Sequence, residues 1–513
     1  MNRYSLKNLN GIYVFLFLFA VAFIAYWPIL NNALLYDDYH HFFRISLIPA
    51  SELWRVLEIQ QNTFMRPLGY LLLWVIYQVF GTSPLPSHFL NVSVHAGTGF
   101  VLFLLMTRLG ISRLAAFLAA TLFVLSPISP GAVTWIAARF DLLALFFMLL
   151  ALFLYLVSIQ RKSRAAYAAS MVAVAASLLS KENAMILIIL IPSIEILSVS
   201  APQESAGSMK WHLTARSWGS VARLSIFFAI FSVYFVFRYF WIGGLGGYSD
   251  GPVFGLAGIK SSALSIMVFL APFDRLVFSR SVTILIAIYI GLLCFASFSL
   301  VIFRWKHASK LLQRAWLLMA IFFVSTFLPV WFAFSKGFDF YLQDSRFYYC
   351  STCALIALIV AGLLDFGWSR KSWRIASSIA VILLVPVYFW GLRENNSVWE
   401  HAAAVVSYIP EETSRLVPDP PYGAKFYFQN LPRGIGSHSF GDELPEAIMM
   451  EYGKQMQPDF NTNPENREIQ VFYLDPNLSP ETYPAEVRND SSDGYLFVFD
   501  WDSEQLSLEH EPR

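Results

Sequence analysis

Charge is scarce in this chain: Asp, Glu, Lys and Arg supply 14% of its 513 residues, against about 25% in soluble domains. With 57% hydrophobic residues and a mean hydropathy of +0.54, that shortage excludes an ordinary soluble protein and points to a polytopic membrane protein. Cysteine is nearly missing. Cys294, Cys350 and Cys353 all lie in apolar segments, and residues 392–513 have none. The Cys350/Cys353 spacing resembles a CxxC pair, but inside an apolar helix it reads as small packing residues. The tail also lacks the period that would signal a solenoid. A large net charge is absent too, at +1, but this balance hides an asymmetry. Residues 1–391 hold 28 Lys and Arg against 13 Asp and Glu, and residues 392–513 hold 8 against 22. A basic membrane body with an acidic tail makes nucleic acid a poor partner.

What is plentiful is long apolar runs and aromatic residues, the latter 17% of the chain, as lipid-facing helices with interfacial belts require. Residues 11–30 form the first span, read as an uncleaved anchor that starts in the cytoplasm. Ten more candidates follow at 86–107, 114–127, 142–159, 166–180, 184–199, 223–241, 281–303, 315–334, 347–364 and 375–391. The basic clusters around Arg108, Arg161, Arg216, Arg304 and Arg370 then fall after every second span, so all can be cytoplasmic. This solution requires 67–80 and 254–278 to lie on or dip into the outer face. The expected fold is therefore an all-α polytopic body over 1–391 with about 11 spans. A first outer loop over 31–85 and a small, acidic α/β domain over 392–513 belong to the extracytoplasmic side. In the tail, 425–431, 468–474 and 494–501 read as strands, 399–409 as an amphipathic helix and 443–455 as a helix.

Most acids of the body sit on that outer side. Asp37 and Asp38, in the run Tyr-Asp-Asp-Tyr-His-His, are candidates to take a proton from an acceptor that attacks a sugar. His40 and His41 could join Asp in a divalent metal site, though adjacent histidines rarely share one ion. Arg66, set before Pro67 and an apolar helix, suits a lipid phosphate. His88, Asn91 and His95 share one helix face and point into the bundle. Arg139 and Asp141 sit at the entry to a span, where Asp141 reads as either a helix cap or a second site carboxylate. Lys181 and Glu182 read as a surface ion pair or a buried structural or phosphate-binding group. Arg346, in Asp-Ser-Arg-Phe-Tyr-Tyr with Tyr348, opposes its helix dipole and calls for an anion, either a lipid phosphate or Asp344.

The order Tyr-Asp-Asp, Arg-Pro-Leu, His-x-x-Asn-x-x-x-His, Ala-Arg-Phe-Asp-Leu-Leu-Ala, Leu-Ser-Lys-Glu-Asn and Ser-Arg-Phe-Tyr-Tyr resembles the membrane domain of the transmembrane O-mannosyltransferases that carry tetratricopeptide repeats. It is more distantly similar to the protein O-mannosyltransferases and the lipid A aminoarabinose transferases. The resemblance covers roughly residues 10–390 and implies the GT-C fold. It also implies a polyprenyl- or dolichyl-phosphate monosaccharide as donor, and transfer with inversion. By this resemblance Asp37 matches the proposed base and Asp38 its acidic neighbour. Asp141 matches the second loop carboxylate. Arg66 falls where the aminoarabinose transferases have a phosphate-binding Lys, and Arg346 is a candidate for the lipid phosphate. The chain departs from the pattern in having Tyr36 where Trp is expected, Ala138 where Gly is expected, and no tetratricopeptide repeats.

Together these readings predict an inverting glycosyltransferase of a bacterial inner membrane. Its catalytic residues are Asp37, Asp38 and Asp141. Lipid phosphate is bound by Arg66, Arg346 and Lys181, with His40, His88, Asn91, Arg139, Glu182 and Tyr348 in support. No cofactor is required, and a divalent metal stays open. The acceptor is a protein or a glycolipid. A ligase or polymerase that uses lipid-diphosphate oligosaccharides is the rival enzyme, and a lipid-linked sugar transporter or scaffold is the rival without chemistry.

Overall fold

The computed structural model describes residues 11–59, 64–197, 217–244, 265–333, 342–366, 371–421, 423–431, 443–452, 469–474, 494–500 and 503–512. Among these, eight helices are long and apolar enough to cross a membrane. The first is α1 (Gly11–Tyr26), extended by a 3-10 turn to Asn31. The next are α4 (Pro84–Arg108), α7 (Arg139–Arg161) and α10 (Ser217–Ile242). The last four are α11 (Arg280–Arg304), α12 (Lys310–Ala333), α13 (Tyr349–Asp365) and α14 (Lys371–Leu416). The chain is a multi-pass membrane protein.

Three of the eleven expected spans correspond to helices too short to count among those eight. They are α5 (Arg113–Val124), α8 (Arg164–Leu178), and the stretch from Glu182, which is a 3-10 turn to Ile186 followed by α9 (Leu187–Ile196) with Pro192 inside. A 12-residue helix rises about 18 Å, well short of a hydrocarbon core of about 30 Å. The neighbours of α5 cover it: nine of its twelve residues are buried. Short α3 (Pro67–Phe80) is half-exposed, as expected for 67–80. Of the 254–278 stretch, 254–264 lies outside the described residues, and 265–270 is helical.

Helix starts follow local chemistry. Ser112, Ser163 and Ser279 each accept a hydrogen bond from a backbone amide three residues on, as N-caps do. Pro84 and Pro67 occupy first turns, where no N–H is needed. Gly99 lets α4 and α5 approach closely, since a Cβ there would meet Val124 at 2.5 Å.

After α14 the chain forms a four-stranded sheet of β1 (Ala424–Gln429), β2 (Ile469–Leu474), β3 (Tyr495–Asp500) and β4 (Gln505–His510). The order is β2-β1-β3-β4, with β1 parallel to both neighbours and β4 antiparallel to β3. Helix α15 (Leu444–Glu451) lies between β1 and β2 in sequence. Two differences from the sequence reading bear on the site. The expected 399–409 helix is part of the 46-residue α14, which runs through the 391/392 boundary without a break. The sheet also shares one apolar core with the first loop: Phe42, Tyr70, Trp135 and Phe140 join Trp399, Val406, Phe426, Ile448 and Phe497. That common core puts the acidic tail and the Asp37 loop on the same end of the bundle.

Candidate active site

Helix α2 (Asp37–Ser46) opens with both carboxylates in its first turn, where the helix dipole favours negative charge. Tyr36, just before it, has φ +53° and ψ −129°, a conformation that strains any side chain with a Cβ. The strain is held by what Asp38 does. Its Oδ2 accepts from the Leu35 amide at 3.0 Å and its Oδ1 from the Ala137 amide at 2.6 Å, with only 1% of the residue exposed. Burial pushes the Asp38 carboxyl up to about 8, against the pull of those two amides and of Arg139. Asp38 therefore fastens the first loop to the turn over Ile136–Ala138 and is buried there. Asp37 is half-buried.

Around Tyr36 several charges converge. Its hydroxyl is raised first by burial, then by Glu443 and Asp37, and is lowered by Arg346. The Tyr36 ring meets Trp135 edge to face at 5.6 Å, and the Arg346 guanidinium lies over Trp135 at 4.1 Å and over Phe347 at 4.9 Å. The Arg346 Nε is buried and has no hydrogen-bond partner. A second strained residue, Leu342 at φ +54°, precedes the turn Gln343–Tyr348 that carries this arginine. Asp37, Tyr36, Trp135, Arg346 and Glu443 thus form one wall.

The other cations are balanced differently. Arg66 grips Glu182 with Nη2 to Oε1 at 2.8 Å and Nε to Oε2 at 3.3 Å, with both side chains largely buried. Lys181 contacts Asp141 at 2.6 Å and lies 5.0 Å from the Phe347 ring. Lys181 and Glu182, adjacent in sequence, are thus not paired with each other. Burial pushes Glu182 up, but the charges of Arg66 and Lys181 overcome it and bring the carboxyl down to about 2.

His88, Asn91 and Arg139 brace the loops from behind. His88 Nε2 donates to the Asn32 carbonyl at 3.1 Å. Asn91 donates to the Val133 and Trp135 carbonyls and accepts from Arg139 Nε at 3.0 Å. Arg139, 2% exposed, also donates to the Ser87 carbonyl. Tyr348 donates to Ser265 Oγ at 2.9 Å and is buried. His95 lies deeper, between the Val124 carbonyl and the Tyr349 hydroxyl. His40 and His41 go separate ways: His40 Nδ1 is 3.2 Å from Glu446 Oε1, and His41 Nδ1 is 3.2 Å from the Tyr70 hydroxyl. Among the described residues no group of three His, Cys, Asp or Glu is set to hold a metal ion.

The sequence reading had no place for Glu443 and Glu446, which lie about 400 residues from Asp37. The one local signal was the acidic run Asp-Glu-Leu-Pro-Glu at the start of a helix. No protein-family model and no curated protein sequence matches the chain. Solved structures do. The archaeal oligosaccharyltransferase AglB from Archaeoglobus fulgidus, in complex with an inhibitory peptide and a dolichol-phosphate, matches over 96% of this chain and 70% of that one, with a TM-score of 0.50 and 11% identity. The chain has the GT-C fold. Another A. fulgidus oligosaccharyltransferase structure, tethered to an acceptor peptide, matches over 90% of this chain at a TM-score of 0.46 and 12% identity. Against that structure the chain spans 66% of the length. ArnT from Cupriavidus metallidurans matches at a TM-score of 0.47 and 13% identity, over 95% and 93% of the two chains. In this GT-C chain, Asp37 and Arg346 occupy the end of the bundle that the acidic tail covers.

Proposed function

We propose that this protein is an inverting glycosyltransferase that moves a monosaccharide from a polyprenyl-phosphate carrier to an acceptor on the extracytoplasmic face of the membrane. One observation carries the reading: a half-buried carboxylate, Asp37, and a guanidinium whose buried Nε has no hydrogen-bond partner among the described residues, Arg346, meet around the Tyr36–Trp135 ring pair. In this reaction the acceptor hydroxyl or amide attacks the anomeric carbon, and Asp37 takes its proton. The bond from that carbon to the phosphate oxygen breaks, and its electrons leave with the polyprenyl phosphate. Arg346 neutralises that leaving group, and Trp135 beneath it keeps the guanidinium in a low-dielectric setting where charge-assisted bonds are strong. Attack opposite to the leaving phosphate inverts the anomeric centre.

Arg66 and Lys181 line the approach of the lipid phosphate. Each already holds a carboxylate, Glu182 and Asp141, so the phosphate competes for them or binds beyond them. Asp38 serves by fixing the turn that presents Asp37. The dolichol-phosphate seen with the archaeal oligosaccharyltransferase is consistent with a lipid-phosphate donor in this fold. The basic clusters beside the spans favour a cytoplasmic position for the opposite end of the bundle. No ATP is available on the outer face, which favours a pre-activated, lipid-linked donor, and a bacterial inner membrane supplies one.

Purified protein in lipid, given a polyprenyl-phosphate monosaccharide labelled in the sugar, tests this. Wild type is expected to transfer label to an envelope acceptor with inverted anomeric configuration. Asp37→Asn is expected to lose about 10²- to 10⁴-fold in rate, the usual worth of general-base catalysis, while it still folds and binds the lipid. Full activity in Asp37→Asn, or use of lipid diphosphates only, overturns the reading.

A further inference from the structure

The tail domain reaches the site through α15, and two contacts define how. His40 on α2 meets Glu446 on α15 at 3.2 Å. One residue before α15 begins, Glu443 lies close enough to Asp37 for that carboxylate to act on its own carboxyl. The Glu443 Oε2 atom is buried and has no hydrogen-bond partner among the described residues. Carboxyl groups so close cannot both be ionised cheaply, so one of them must carry a proton and act as donor.

We propose that Glu443 is a positioning residue for Asp37: its carboxyl donates a hydrogen bond to one oxygen of the Asp37 carboxylate and leaves the other oxygen aimed at the acceptor. The inference rests on the glycosyltransferase reading above and assigns the acidic tail a part in the reaction. The His40–Glu446 contact clamps α15 against α2 and sets the reach of Glu443. Burial, reinforced by the charges of Asp37 and Glu446, pushes the Glu443 carboxyl up to about 8. At neutral pH it is therefore protonated and able to donate. Arg346 and Asp344, from the turn before α13, and Tyr36 face the same spot, and Glu443 is the neighbour whose own carboxyl responds to Asp37. When Glu443 ionises, the donor is lost and a like charge faces the base, so transfer falls on the alkaline side.

Three variants of the full-length protein test this in the same transfer assay, run between pH 6 and pH 9.5 with thermal melting as a check on folding. Glu443→Gln keeps a donor that does not titrate. It is expected to stay within about threefold of wild type at pH 7 and to lose the alkaline limb centred near pH 8. Glu443→Ala is expected to lower kcat about tenfold, the worth of one hydrogen bond to a charged group, with KM for the lipid donor unchanged. Asp37→Asn is expected to stay about 10²- to 10⁴-fold below wild type at every pH. If Glu443→Gln keeps the wild-type alkaline limb, or Glu443→Ala keeps wild-type kcat, while Asp37→Asn stays that far below wild type, the positioning role is wrong and the enzyme assignment stands. Wild-type activity in Asp37→Asn removes the assignment itself.

Discussion

Asp37 and Asp38 are consecutive, yet α2 turns their side chains about 100° apart. One faces Glu443 and the Tyr36–Trp135 wall, and the other is stitched into backbone. Replacing Asp38 by Asn turns one accepting oxygen into an N–H that opposes a backbone N–H. Stability is expected to fall by about 1–3 kcal/mol, read as a lower denaturation midpoint in detergent, with slower transfer because the turn that presents Asp37 loosens. The buried carboxyls also set opposite pH dependences. Asp38 is raised to about 8 in the folded chain from about 4 when unfolded, so its contribution is full below pH 4 and is lost as pH rises towards 8. Glu182 is lowered to about 2 from about 4.3, so its contribution is present above that value and is lost as pH falls towards 2. Thermal melting is expected to show a drop in midpoint between pH 4.5 and pH 2 that Glu182→Gln abolishes, although that variant melts lower at neutral pH because Arg66 is left unbalanced. The sequence marked all of these residues as special. It could not say which of two adjacent acids is reachable, because the Ala137 amide that decides it is 99 positions away.

Helix α14 carries the membrane body into the tail. A run of Arg393, Glu394, Asn395, Asn396 and Ser397 looks in sequence like the end of a span, yet the helix continues through it. The reason is that these side chains satisfy other segments. Asn395 donates to the Pro127 carbonyl at 2.7 Å and the Pro272 carbonyl at 2.9 Å and accepts from the Asp274 amide at 3.0 Å, and Asn396 accepts from Thr134 at 2.7 Å. Asn395→Ala strands three buried backbone groups and is expected to cost at least about 1–3 kcal/mol, measured as lost thermal stability with the helical signal retained. Three strands were legible because each is a compact apolar or aromatic run between turn residues. The fourth, Gln505–His510, was not, since it is more polar than the others and pairs only at the sheet edge. The parallel placement of β1 between β2 and β3 has no local signature.

At the scale of the molecule, hydropathy gave the body because a bilayer forces long apolar helices. Eight described helices have the length of a span, while three of the expected spans correspond to shorter helices, α5 among them, which its neighbours bury. The site was legible on the first-loop side, where Asp37, Arg66 and Arg346 stood out. It was blank on the tail side, because a contact between α2 and α15 spans about 400 residues and leaves no spacing to read. The topology we propose has the first loop and the tail outside, and the Arg161–Lys162 turn inside. Single cysteines at Ser83 and Ser503 are expected to react in intact cells with a membrane-impermeant thiol reagent. One at Lys162 is expected to react only after permeabilisation. The native thiols are buried or half-buried. Labelling of Lys162→Cys in intact cells would reverse the orientation.

The most direct measurement is a structure of the full chain in lipid with a polyprenyl phosphate bound. The account predicts the phosphate within hydrogen-bonding reach of the Arg346 guanidinium, on the Trp135 side, with the Asp37 carboxylate facing the space where the sugar would sit. A phosphate lodged away from Arg346, with Asp37 turned to another cavity, would contradict it.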